Sequence, residues 1–348
     1  MACHGELSGQ GEFVTGVAGT GLSYPGRSAA SLPRWLGVGW QDLPGELPEA
    51  VMSQRPALAE LGLNTGKKTR LHRILHEHGL RNGTAFFLPY DQGLEHGPRD
   101  FFANPAASDP RYIVKLAIEG GFNGIAIQIG LAEKFYWDYA GEVPLVLKLN
   151  GKTEIPSDAE ALSPLHGSVE EAVRLGADAV GYTLYVGTPA QERDFAQLRQ
   201  IRADAHRLGM PLIVWAYPRG SAIEAKGGRD SFYAVDYAAR TGAELGADVV
   251  KVNFPHPEKI DDVPDPYARR FTGQQAIDAV VRSAGRTLVL VSGGSKAGDD
   301  AMLEKARESM EAGATGLIFG RNVWQRDHDE SLRFVSALRD ILAKYPST

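Results

Sequence analysis

From Thr84 onward the chain repeats one pattern eight times: a short apolar run and then, in most cases, a stretch with helical spacing. The runs fall at 84–90, 124–129, 145–149, 179–186, 212–217, 248–254, 287–291 and 316–319. Helical spacing occupies 113–118, 169–175, 195–208, 233–245, 275–281, 301–310 and 332–342, and is weakest at 131–139. Capping boxes open two of these stretches, Ser168 with Glu171 and Thr272 with Gln275. Several close on a glycine that leads straight into the next run, as at Leu245-Gly246-Ala247-Asp248. Repeated strand-then-helix units imply a parallel sheet covered by helices, and a count of eight favours closure into a (β/α)8 TIM barrel spanning residues 84–348. A doubly wound open sheet is the alternative; against it, no Gly-x-Gly-x-x-Gly follows the first run.

What precedes the repeat differs in kind. Residues 1–45 are rich in Gly and Ser with no sustained period, and are expected to form a loosely ordered extension. Helical spacing returns in 46–83, where Leu71, Ile74, Leu75 and His78 share a face and Gly79 is a stop. His72, His76 and His78 invite a metal reading, but no cysteine or third convergent ligand supports it, so a helix face is the better account. A net charge of -6 gives no broad attraction to nucleic acid or anionic lipid. Cys3 is the only cysteine, which excludes an internal disulfide. No apolar run is long enough to span a bilayer and the first residues lack a leader pattern, so the cytoplasm is the expected location.

In such a barrel the chemistry sits at the C-terminal ends of the strands. Within Ala247-Asp248-Val249-Val250-Lys251-Val252-Asn253-Phe254, strand alternation sets Val249, Lys251 and Asn253 on one face. A lysine carried into an apolar interior loses basicity, and a neutral amine can attack a carbonyl and form a Schiff base. A lysine snorkelling to water from the strand edge is the bland alternative. The surroundings favour the first reading, because Asp91, Lys148, Trp215 and Tyr217 all fall on inward faces of other strands at matching depth, with Arg219 just beyond. Gly-rich turns follow strands seven and eight: Ser292-Gly293-Gly294-Ser295-Lys296 and Gly320-Arg321-Asn322. Backbone amides, a hydroxyl and a guanidinium there suit a phosphate.

These residues resemble the archaeal-type class I fructose-bisphosphate aldolases, a DeoC/DhnA-like Schiff-base family that also has bacterial members. The matching motifs are Asp91-Gln92-Gly93-Leu94-Glu95-His96-Gly97, Trp215-Ala216-Tyr217-Pro218-Arg219-Gly220, Asp248-Val249-Val250-Lys251, Ser292-Gly293-Gly294 and Gly320-Arg321-Asn322. They run in family order from about residue 84 to the C-terminus and do not extend to 1–45. Gln92 departs from the histidine of many archaeal members. The resemblance implies that Lys251 forms the Schiff base, Tyr217 transfers protons and Asp91 assists carbinolamine chemistry. It further implies that Trp215 contacts substrate, that Ser292, Gly293, Gly294, Gly320 and Arg321 hold a phosphate, and that Arg219 and Lys148 meet the distal part of the substrate. The implied reaction is reversible cleavage of fructose 1,6-bisphosphate to dihydroxyacetone phosphate and glyceraldehyde 3-phosphate, without metal or cofactor. The expected partner is a small phosphorylated sugar, and homo-oligomers are common in the family. Alternatives are a related Schiff-base reaction on another phosphorylated ketose, as in amino-deoxy sugar acid synthesis or autoinducer processing, a metal-dependent aldolase, and a non-catalytic sugar-phosphate sensor.

Overall fold

A computed structural model describes residues 55–258, 260, 262–294 and 298–347. The expected extension at 1–45, the start of the 46–83 segment, and Ser295 and Lys296 lie outside the described residues. Eight parallel strands close on themselves: β1 (Ala85–Pro89), β2 (Gly124–Gln128), β3 (Leu145–Lys148), β4 (Ala179–Val186), β5 (Leu212–Pro218), β6 (Val249–Asn253), β7 (Leu288–Ser292) and β8 (Gly316–Ile318). Each pairs with its neighbours in sequence, and β8 returns to β1 with Phe86 opposite Leu317. Both faces of the strands are covered, so they read as continuous apolar runs rather than as polar alternation.

The period of two sorts side chains into two cores. Phe86, Leu88, Val250 and Val252 pack outward against the helices. Phe87, Val146, Ile213, Trp215, Val249 and Leu290 point into the barrel. Long helices cover the outside at Pro110–Glu119, Gln191–Arg207, Phe232–Glu244, Gly273–Ser283, Asp299–Glu311 and His328–Leu342. Both expected capping boxes form, with the Ser168 and Thr272 hydroxyls accepting from the Glu171 and Gln275 amides at 3.2 and 3.1 Å. The weak helical signal between β2 and β3 corresponds to a broken connection: one α turn at Ile129–Leu131, a wide turn at Ala132–Tyr136 and a tight one at Trp137–Tyr139.

The segment before β1 closes the N-terminal end of the barrel. Thr65–His72 is helical and continues through a wide turn at Arg73–Glu77. Leu71, Ile74 and Leu75 from this segment are buried in the inner core, each large aliphatic contributing about 1.5–3 kcal/mol of burial. Lys67 follows them inward and meets Asp248 at 2.6 Å, an ion pair shielded from water on both sides. That carboxylate also accepts the Leu212 amide at 2.8 Å, so one buried anion ties the closing helix to β5 and β6. His72, whose ring centroid lies 5.1 Å from that of His76, contacts Glu77 at 3.3 Å on this closing segment, remote from the strand C-termini. No described helix is long and apolar enough to cross a membrane.

Candidate active site

Parallel register carries the inward residue of each strand to a common depth. Lys251 stands beside Trp215 of β5 and Leu290 of β7, and is 5% exposed. Its Nζ lies 5.2 Å from the centre of the Trp215 ring and 5.2 Å from that of Tyr217, so an indole and a phenol wall the amine. Desolvation is the largest influence and lowers its pKa to about 8; Asp91 and Glu95 pull upward, and Lys148 and Arg321 push down with the burial. At pH 7 that raises the neutral fraction from about 0.03% to about 10%.

Lys148, fully buried on β3, has the opposite fate. Its ammonium donates to Asp91 Oδ2 at 3.0 Å, Glu95 Oε1 at 3.4 Å and Thr183 Oγ1 at 2.7 Å, which uses its three donors. Burial alone would lower its pKa, but the two carboxylates outweigh burial and hold it above the ordinary lysine range. Asp91 is buried too; burial opposes its charge, and Lys148 and then Lys251 keep it below the usual carboxylate range. Two lysines at similar depth are thus driven apart, one fixed as a cation and one eased toward the free amine, the arrangement that assigns different roles to like groups. The Lys148 ammonium lies 4.5 Å from the Trp215 ring centre, an attraction that again favours its charge.

Gly181 of β4 makes this packing possible. A Cβ there would sit 2.7 Å from Lys148 Cδ and 2.8 Å from Trp215 Cζ3, so any larger residue would push the lysine or the indole out of place. Tyr217 is half-buried, and desolvation, then Glu95 and Asp91, hold its phenol well above the ordinary tyrosine pKa. It is therefore protonated at rest.

The turns after β7 and β8 lie on the other side of the mouth. The Ser292 hydroxyl donates to Asn253 Oδ1 at 2.7 Å, and the Asn253 amide donates to Asp230 at 2.5 Å, which braces the end of β7 against β6. Gly293 follows, then Gly294 at φ +67°, a left-handed turn that favours glycine. Gly320 precedes Arg321, whose guanidinium lies 3.7 Å from Asp100; that carboxylate in turn meets His96 at 2.8 Å. Arg219 stands at the rim beyond β5, 5.2 Å from the Tyr217 ring centre.

The structure thus gathers Lys251, Tyr217, Asp91, Trp215 and Lys148 at one floor, with the Ser292–Gly294 and Gly320–Arg321 turns to one side and Arg219 to the other. Lys148 is held by Asp91, Glu95 and Thr183. Sequence reasoning missed Glu95, Gly181, Thr183 and Asp230 as parts of the site. Glu95 was recoverable: it lies four residues after Asp91 across the short helix Gln92–Glu95, which returns its carboxylate to the same side. Gly181 and Thr183 carry no charge to mark them, although alternation in β4 turns both inward.

An amine of lowered basicity inside a parallel barrel, walled by a protonated phenol and a fixed carboxylate–ammonium pair, defines an enzyme that works through a lysine Schiff base. Residues 85–326 match the DeoC/LacD family aldolases. A relative from Thermoproteus tenax named fructose-bisphosphate aldolase class 1 is 42% identical over 264 residues, covering 75% of this chain and 90% of the relative. One from Halobacterium salinarum with the same name is 38% identical over 248 residues, covering 71% and 87%. An archaeal fructose-1,6-bisphosphate aldolase, solved with its catalytic lysine covalently bound to the carbinolamine intermediate of the substrate, superposes with a TM-score of 0.68 at 39% identity, covering 78% of this chain and 99% of that one. The chain belongs to the DeoC/LacD aldolase family, on the branch of the archaeal-type class I enzymes.

Proposed function

We propose that the protein reversibly cleaves fructose 1,6-bisphosphate to dihydroxyacetone phosphate and glyceraldehyde 3-phosphate through a Schiff base on Lys251. The observation that carries this reading is the buried amine of Lys251, with its pKa lowered to about 8, beside Tyr217 and within the field of Asp91. Neutral Lys251 attacks the C2 ketone and forms a carbinolamine. Tyr217, protonated at rest, gives its proton to the departing hydroxyl, which leaves as water and forms the iminium. The phenolate left behind takes the proton from the C4 hydroxyl, the C3–C4 bond breaks, and its electrons flow into the iminium to give a neutral enamine and the aldehyde. Tyr217 then returns the proton to C3, and hydrolysis of the iminium releases dihydroxyacetone phosphate.

Asp91 stays ionised through this cycle because Lys148 holds it, and its charge favours the cationic iminium. Trp215 forms one wall for the substrate. The backbone at Gly293, Gly294 and Gly320, with Ser292 and Arg321, takes one phosphate, and Arg219 faces the other end of the ketose. The iminium supplies the electron sink that a metal would otherwise provide, so the reaction needs none. The same reading includes a cytoplasmic enzyme of glycolysis or gluconeogenesis working as a homo-oligomer, which light scattering on the purified protein tests.

The deciding experiment is reduction with borohydride in the presence of dihydroxyacetone phosphate, followed by peptide mapping. A covalent adduct on Lys251, absent in Lys251→Met together with turnover, is expected. An adduct on another lysine, or full turnover in EDTA-sensitive form with no adduct, would refute the assignment.

A further inference from the structure

The loop after β3 brings a carboxylate to the rim where the distal end of the substrate would lie. Asp158 Oδ2 lies 3.1 Å from Arg219 Nε, and Oδ1 lies 2.8 Å from Lys152 Nζ. The two cations are shielded, at 15% and 13% side-chain exposure, whereas the carboxylate is 43% exposed. Lys152 also donates to the carbonyls of Thr153 and Pro156 at 3.0 and 3.5 Å, so the loop curls around this ammonium. Arg219 is oriented by its own bond to the Pro218 carbonyl at 2.8 Å and by the faces of Tyr185 and Tyr217. Neither cation therefore depends on Asp158 alone for its place. The Asp158 carboxyl is held below its usual range: burial opposes its charge, but the Lys152 hydrogen bond and the charges of Arg219, Lys152 and Arg229 prevail.

A half-exposed carboxylate on two cations is a weak partnership, worth about 0–1 kcal/mol per pair. A phosphate dianion carries more charge and can engage the planar guanidinium with two oxygens. The strands that lead into these groups, β3 and β5, lie across the closed barrel from β7, β8 and β1, and Lys251 stands on β6 between β5 and β7. A ketose with a phosphate at each end would span the mouth and meet this pair with its second phosphate.

Building on the aldolase reading above, we propose that Asp158 is an internal stand-in for the second phosphate: it occupies Arg219 and Lys152 in the free enzyme, gives them up to a bisphosphorylated ketose, and so sets the preference between bis- and monophosphorylated substrates. The displaced carboxylate turns to solvent; no bond is made or broken in the exchange.

The test compares the unaltered chain, Asp158→Asn and Lys152→Gln in cleavage of fructose 1,6-bisphosphate and of fructose 1-phosphate. Removing the competing charge is expected to lower KM for the bisphosphate about fivefold, as for one charge near a phosphate in a mostly solvated rim, with a change under about twofold for the monophosphate. Lys152→Gln should raise KM for the bisphosphate and leave the monophosphate nearly as before. A higher bisphosphate KM in Asp158→Asn would show that the carboxylate orients Arg219 instead, and an equal change for both substrates would show a general loop effect; either overturns the proposal. Cleavage of neither substrate by the unaltered chain would defeat the aldolase reading itself and the stand-in with it. Cleavage of both with an unmoved ratio in the variants would defeat only the stand-in.

Discussion

Replacing Lys251 by methionine should abolish catalysis and make the protein more stable. Methionine is unbranched, apolar and of similar length, so it can fill the space between Trp215 and Tyr217 without a cavity. The folded chain holds this amine at about 8 instead of 10.5, so it disfavours the ammonium by about 3 kcal/mol. The unfolded chain keeps the ammonium throughout the neutral range, so below pH 8 the native state carries that cost in full. Because the folded pKa is the lower one, the cost fades as pH rises from about 8 toward 10.5. Lys251→Met is therefore expected to gain about 2–3 kcal/mol at pH 7, or about 3–5 °C in Tm for a chain of this size. At pH 9.5 the charge penalty falls to about 1.4 kcal/mol, less than half its neutral value. Urea midpoints of both proteins at pH 7 and 9.5, read by circular dichroism, isolate this difference because other titrating groups cancel. A variant less stable than the parent, or a gap that does not narrow at alkaline pH, would refute the claim that the amine is held against its charge.

Tyr217→Phe should lower turnover by about 10²- to 10⁴-fold while borohydride still traps dihydroxyacetone phosphate on Lys251, more slowly; complete loss of trapping would show that the phenol supports the nucleophile itself. Arg321→Ala should act mainly on KM, and an unchanged KM with lower kcat would argue against phosphate binding there. Lys67→Met leaves Asp248 buried without its cation and should cost about 3–5 kcal/mol, measured by urea denaturation; a loss below about 1 kcal/mol would mean that the closing helix is held by Leu71, Ile74 and Leu75 alone.

The comparison between Lys251 and Lys148 shows where sequence reading stops. Alternation alone turned both inward, and the glycine-closed strand–helix units led to a closed barrel, because the backbone period and the turn chemistry are local properties. Local properties also made the glycine-rich turns after β7 and β8 visible, since Gly294 sits where a left-handed turn is needed. Which lysine is eased toward the free amine was not local. It depends on Asp91 and Glu95 reaching across from the turn after β1, on Thr183 from β4, and on the space that Gly181 leaves for Lys148 beside Trp215.

The chain by itself therefore determined the repeat, the inward set of residues and the order of the motifs. Only the closed sheet decided how charge is shared among them. Electrostatic and desolvation energies depend on distances between strands far apart in sequence, and those distances exist only once β8 has met β1. The Asp158 contact belongs to the same class, since nothing in the loop's own sequence marks which guanidinium its carboxylate will find.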